Sequence, residues 1–144
     1  MESNSFVAAT NEQIELLREG KPLDAFDVFF ASTVQMFAND VLFADGAVEG
    51  RAKQEPFISA AQSIIGKIED VVIDEARGLC AFRNLSQFVD GAGVTQQIDG
   101  LCWQRWDDDK VVEERYYDGE VMRSLLKDGL LQDLAGHMTM KEAE

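Results

Sequence analysis

The chain has 144 residues, enough for one domain with a sizeable core, and its 46% apolar and 28% charged content is that of an ordinary globular protein. A formal charge of -14 repels phosphate backbones and anionic lipid, so neither nucleic acid nor a membrane surface is expected as a partner. No run is long and apolar enough to span a membrane, the first ten residues lack the parts of a signal peptide, and Cys80 and Cys102 have no metal or redox spacing, so a cytoplasmic location is expected.

The first predicted helix opens at Thr10, with Gln13 at capping-box spacing, Ile14 and Leu17 on its apolar stripe, and Gly20 as its stop. Pro22 suits the first turn of a second helix, which carries Leu23, Phe26, Phe29 and Phe30 on one face. A short strand over Val34–Phe37 follows and breaks at Asn39-Asp40. Val41–Ala44 either pairs back or forms a loop. Gly50-Arg51 leads into a third helix with Pro56 in its first turns and Phe57, Ile58, Ala61 and Ile65 pointing inward.

After Gly66 the period changes from helical to alternating. Strands are predicted at Ile68–Glu75, Leu79–Val89, Val94–Trp106 and Val111–Asp118, joined by short links that make consecutive strands antiparallel. Val121, Met122, Leu125, Leu126, Leu130, Leu131 and Leu134 mark a C-terminal amphipathic extension over about 120–136, split at Gly129. The expected architecture is a single α+β domain over 1–144, a curved antiparallel sheet with helices on one face.

Direct closure of the four-residue links sets Val89 opposite Val94 and Trp106 opposite Val111. Alternation then gathers Phe82, Asn84, Asp99, Leu101, Trp103, Arg105, Glu114, Tyr116 and Asp118 on the helix-covered face. Cys102, Gln104, Glu113, Arg115 and Tyr117 fall on the other face, which suits a wet or dimer-forming surface. Cys80 and Cys102 are thereby separated, and Arg105 is set for an ion pair with Glu114.

The same count places Asn84, Asp99 and Asp118 in one row, with the two carboxylates about 4.5–5.5 Å apart at Cβ. Carboxylates that close cannot easily both ionise, and a neutral and an ionised carboxyl together make an acid/base pair. Asn84 and Tyr116 would assist as hydrogen-bond donors, and Trp103, Phe82, Leu101, Phe26, Phe30 and Phe57 would wall an apolar site. The alternative is that Asp99-Gly100 and Asp118-Gly119 serve only strand ends, and a one-residue slip would turn the row to the other face. Asp107-Asp108-Asp109 is a solvated turn rather than a calcium loop. His137 is the only histidine and is assigned to a frayed tail, so no histidine triad or multi-histidine metal site is expected.

The order of elements, with Phe29-Phe30-Ala31-Ser32-Thr33-Val34, Gly50-Arg51 and the hairpin Trp106–Asp118, resembles the SnoaL-like proteins of the nuclear-transport-factor-like superfamily. That resemblance implies a cone-shaped fold, a pocket between sheet and helices, a homodimer through the outer sheet face, and acid–base chemistry on small apolar molecules without cofactor or metal. The place of the ketosteroid isomerase base is closest to Ala38 here, and that of the aspartate of the cyclases and the epoxide hydrolase is closest to Tyr116. The expected function is therefore an isomerase-, cyclase- or lyase-type enzyme acting on a small apolar carbonyl compound. The alternatives are a non-catalytic binding domain and a dimeric scaffold with a filled core.

Overall fold

The structure is a computed structural model that describes residues 2–136, with side chains from Ser5 onward; His137 lies outside the described residues. Helix α1 (Glu2–Arg18) begins well before the expected cap. Phe6, Ala9, Thr10, Gln13 and Ile14 recur at three- and four-residue spacings and are all buried, so Thr10 and Gln13 belong to the sheet-facing stripe rather than to a capping box. Helix α2 (Pro22–Phe29) follows with Pro22 in its first turn, where a missing N–H costs nothing, and buries Ala25, Phe26 and Phe29.

Strands β1 (Phe30–Ala38) and β2 (Val41–Asp45) form a true hairpin. Asn39 and Asp40 both take left-handed backbone at its tip, the geometry that a two-residue turn between twisted strands requires. Helix α3 (Ala47–Ala60) holds Pro56 in its second half, not in its first turns. The expected helical inward face then ends early, because Ile65 lies in a short strand, β3 (Ser63–Ile65), and is exposed.

The two long predicted strands are each broken in two. Leu79–Val89 divides into β5 (Leu79–Asn84) and β6 (Gln87–Val89), and Val94–Trp106 into β7 (Thr95–Gln97) and β8 (Gly100–Asp107). The bend between β5 and β6 is held by polar groups. Asn84 Oδ1 accepts from the Ser86 amide at 3.1 Å, and Ser86 Oγ accepts from the Lys67 amide at 3.0 Å. With β4 (Ile68–Asp74) and β9 (Lys110–Asp118), the main sheet runs β2-β1-β9-β8-β5-β4, and a second small sheet runs β3-β6-β7. The main sheet is mixed rather than wholly antiparallel, because β1 lies parallel to β9.

Helices cover both faces of this sheet. On one side α1, α2 and the inner strand residues bury Ile14, Phe26, Phe29, Val34, Met36, Phe82 and Trp106. On the other side helix α4 (Gly119–Lys127) and a 3-10 turn (Leu130–Gln132) pack Met122, Leu130 and Leu134 onto Leu79, Ala81, Leu101, Trp103 and Tyr117. The face expected to be wet or to meet a second copy is thus occupied over β5, β8 and β9 by the chain's own C-terminal extension.

Candidate active site

Register decides which side chains reach the interior. The loop after β6 spans five residues instead of four. Asp90 organises it by accepting both the Ala92 and Val94 amides at 3.0 Å, so Val89 pairs with Thr95. At the other end Trp106 does pair with Val111, but Arg105 then pairs with Glu113, leaving Val112 as the extra residue of a β-bulge. Each irregularity slips β8 by one residue, in the same sense. Strands β5 and β9 therefore keep their expected faces while all of β8 is reversed. Phe82, Cys102, Glu114 and Tyr116 face inward, and Leu101 and Trp103 face outward.

This slip corrects the sheet placements in turn. Gly100, not Asp99, lies between Asn84 and Asp118. Asp99 is exposed and pairs with Arg83 at 2.5 Å, outside the cavity. Asp118 is exposed at the end of β9, where its Oδ1 accepts from Asn39 Nδ2 at 2.9 Å. No acid pair faces the interior from these positions. Trp103 is 0% exposed and donates from Nε1 to the Leu134 carbonyl at 3.2 Å, and Leu101 is buried beside it, so neither walls the cavity. Arg105 pairs with Glu113 at 3.0 Å rather than with Glu114. Cys80 and Cys102 share the inner face, and both are free and buried.

The remaining expected residues do come together. Asn84, Tyr116, Phe82, Phe26, Phe30 and Phe57 all line one cavity of about 400 Å³ between α1, α2, α3 and the curved sheet. Phe57 stands at its mouth, 74% exposed. Phe26 and Phe30 stack at 4.5 Å, and Phe37, Phe43 and Phe88 add further aromatic wall. Among the described residues that line it there is no Lys, Arg, His or Asp, and Glu114 is the single acid.

Glu114 is the group that sequence reading missed. It is half-buried, facing the cavity, and burial pushes its carboxyl up to about 7 from an ordinary 4.5, partly offset by a hydrogen bond from Gln104. Gln104 Nε2 donates to Glu114 Oε2 at 2.6 Å. Behind this contact Gln13 and Gln104 exchange two amide hydrogen bonds of 3.0 and 2.8 Å, and Trp106 Nε1 donates to Gln104 Oε1 at 3.1 Å. The sequence did hold a signal. Gln13 precedes Ile14 and lies four residues before Leu17 of the apolar stripe, although its spacing from Thr10 reads as a cap and the parity count sets Gln104 on the wet face; both are buried, and buried amides need partners.

Tyr116 lies two residues from Glu114 on the same face, about 7 Å along the strand. Burial, with lesser contributions from Cys102, Asp118 and Asp99, raises its phenol, so it remains a hydrogen-bond donor. Its ring lies over Gly100, where any Cβ would fall inside the phenol. Gly100 is thus the gap that seats Tyr116. Gly100→Ala is expected to swing the ring into the cavity, weaken binding of an apolar fluorescent probe, and cost about 1–3 kcal/mol in urea unfolding. Burial also pushes the Cys80 thiol up to about 12 and raises Cys102, so neither is a nucleophile near neutral pH. Ala38 lies beside Tyr116 on β1 and lines the cavity without a titratable group. Neighbouring Asp40 is taken up by the Tyr117 hydroxyl at 2.8 Å and Arg115 at 3.3 Å.

No protein-family model and no curated protein sequence matches the chain. Solved structures do match it in fold. A protein from Mesorhizobium loti described as a SnoaL-like polyketide cyclase is 18% identical at a TM-score of 0.63, covering 78% of this chain and 97% of its own. One from Jannaschia sp. CCS1, given the same description, is 10% identical at 0.64, covering 85% and 90%. The Δ5-3-ketosteroid isomerase of a Mycobacterium species is 14% identical at 0.64, covering 82% and 95%. The architecture is therefore the cone-shaped α+β fold that these structures share. Identities this low speak for the fold alone, and the site must be argued from its own residues.

Proposed function

We propose that the protein is a cofactor-independent acid–base enzyme of the isomerase, cyclase or lyase type, acting on a small, largely apolar carbonyl compound. The observation that carries this reading is Glu114, the one carboxyl among the described residues lining a largely apolar cavity, brought close to neutrality by burial. An acid poised there can both take and return a proton at working pH. The Tyr116 phenol, on the same wall, would hold the substrate oxygen as charge develops on it. Asn84 Oδ1 is engaged by the Ser86 amide, which leaves its amide nitrogen as the second donor. The aromatic walls would hold the hydrocarbon part, and an acidic wall group without a cation disfavours carboxylates and phosphates.

Solvent deuterium exchange at carbon next to a carbonyl tests this reading without knowledge of the product. A panel of small cyclic and aromatic ketones is incubated with the protein in D2O and followed by NMR. Exchange that disappears in Glu114→Gln supports the enzyme. Saturable binding with no exchange in either protein instead supports the non-catalytic binding domain.

A further inference from the structure

We infer that Trp106, which does not touch the cavity, is a positioning residue that keeps the acidic proton of Glu114 on its cavity-facing oxygen. This rests on Glu114 being the acid–base group. Its basis is an ambiguity in the network behind that group. Gln13 and Gln104 form a reciprocal amide pair, each donating to the other's oxygen. Turning both amides over together keeps both of those bonds, so the pair by itself does not choose an orientation. The groups at its two ends choose.

At one end Gln104 Nε2 meets Glu114 Oε2 at 2.6 Å. At the other, Gln104 Oε1 meets Trp106 Nε1 at 3.1 Å and Cys80 Sγ at 3.3 Å. A thiol can donate or accept, so Cys80 is indifferent, whereas an indole N–H can only donate. Trp106 therefore demands the Gln104 oxygen, which sends the Gln104 N–H to Glu114. With Oε2 already accepting, the proton of the neutral acid belongs on Oε1, towards the cavity.

The reversed pair would set Gln104 Oε1 against Glu114 Oε2. That contact is tolerable only if Oε2 carries the proton and donates it to the amide, away from any substrate. It would also set the Gln104 NH2 against the indole N–H, two donors facing each other inside the core. Trp106 makes this resting state costly. Its ring is fixed by Phe6 at 5.7 Å, edge to face, and by Phe29 at 6.1 Å, so the indole does not turn aside easily.

Little else near Glu114 can compete. The titratable groups facing it are the thiols of Cys80 on β5 and Cys102 on β8 and the Tyr116 phenol on β9. Helix α1 offers Thr10 and Gln13, α2 offers Phe26, and α3 offers Gln54, none of them charged.

The test is a carbon-13 NMR titration of Glu114 in the full chain, with glutamate carboxyl labelling, for wild type, Trp106→Phe, and a chain with benzothienylalanine at position 106. The last replaces the N–H by sulfur and keeps the ring's shape, so it separates the lost donor from lost packing. Loss of the indole donor is expected to raise the Glu114 midpoint by about one unit, because the freed amide pair still donates to the ionised carboxyl but can now reverse and accept from the neutral one. The Gln104 side-chain amide signals, which in wild type follow only the changing charge of a fixed partner, should then shift further with the titration in both variants, where the amide reverses. An unchanged Glu114 midpoint in the benzothienylalanine protein overturns the inference, even if turnover falls. A raised midpoint upholds it even where no ketone is turned over, in which case only the catalytic reading fails.

Discussion

A Glu114→Gln protein is expected to be inactive and, above neutral pH, about 3 kcal/mol more stable than wild type. The stability difference follows from the raised carboxyl. Unfolded, Glu114 ionises near the ordinary 4.5; folded, it holds its proton to about 7. An acid with a higher pKa in the native state binds more protons folded than unfolded between those values. Its contribution is fully present below about 4.5 and is lost as pH rises through about 7. About two and a half units at 1.36 kcal/mol each give roughly 3 kcal/mol. Glutamine keeps the shape and still accepts from Gln104 but cannot ionise, so that loss is absent from the variant. Urea unfolding of both proteins at pH 4 and pH 8 measures it. Curves that separate only at pH 8 agree with the expectation, and parallel curves mean that Glu114 ionises freely in the folded protein. A site group that weakens the fold at neutral pH is the usual mark of a position retained for chemistry.

The fold was legible because it rests on periodicity. The helical stripe of Phe26 and Phe29, the alternation after Gly66 and the amphipathic run after Gly119 each appear in the structure as the pattern implied. Aromatic wall residues on helices and on β5 were legible for the same reason, since Phe26, Phe57 and Phe82 line the cavity; Phe30, expected on the second helix, opens β1 instead and lines it too. The role of the acid was not, because Glu114, placed on the correct face, reads there as the ion-pair partner of Arg105, and parity along β8 depends on two local details that no period encodes. One is the Asp90 side chain, which closes a five-residue loop, and the other is the bulge at Val112. Either one alone would have turned β8 over relative to one neighbour. Together they bring Gln104 behind Glu114 and send Trp103 to the opposite side. Asp99 and Asp118 drew attention as paired acids, yet each sits at a strand end with its own partner, Arg83 and Asn39.

The C-terminal extension carries the other large expected effect. A chain ended at Asp118 should self-associate in sedimentation, with an average mass that rises with concentration, and should unfold at lower urea than the full chain. Removal of α4 and the 3-10 turn uncovers Leu79, Ala81, Leu101, Trp103 and Tyr117, all of them 0% exposed in the full chain. Burial of one large apolar side chain is worth about 1.5–3 kcal/mol, so a face of this size represents several kcal/mol of a typical 5–15 kcal/mol stability. The Trp103 indole also loses the Leu134 carbonyl that accepts its N–H. The extension and a second copy of the chain compete for the same apolar surface. In the full chain the extension occupies the part of the outer face over β5, β8 and β9. Leu130→Asp in the full chain makes the same point without deletion. A buried carboxylate against Trp103 and Met122 is costly enough to lift the 3-10 turn, and association should follow. A truncated chain that stays monomeric and unfolds at the same urea concentration as the full one would show that the extension adds nothing to the sheet it covers.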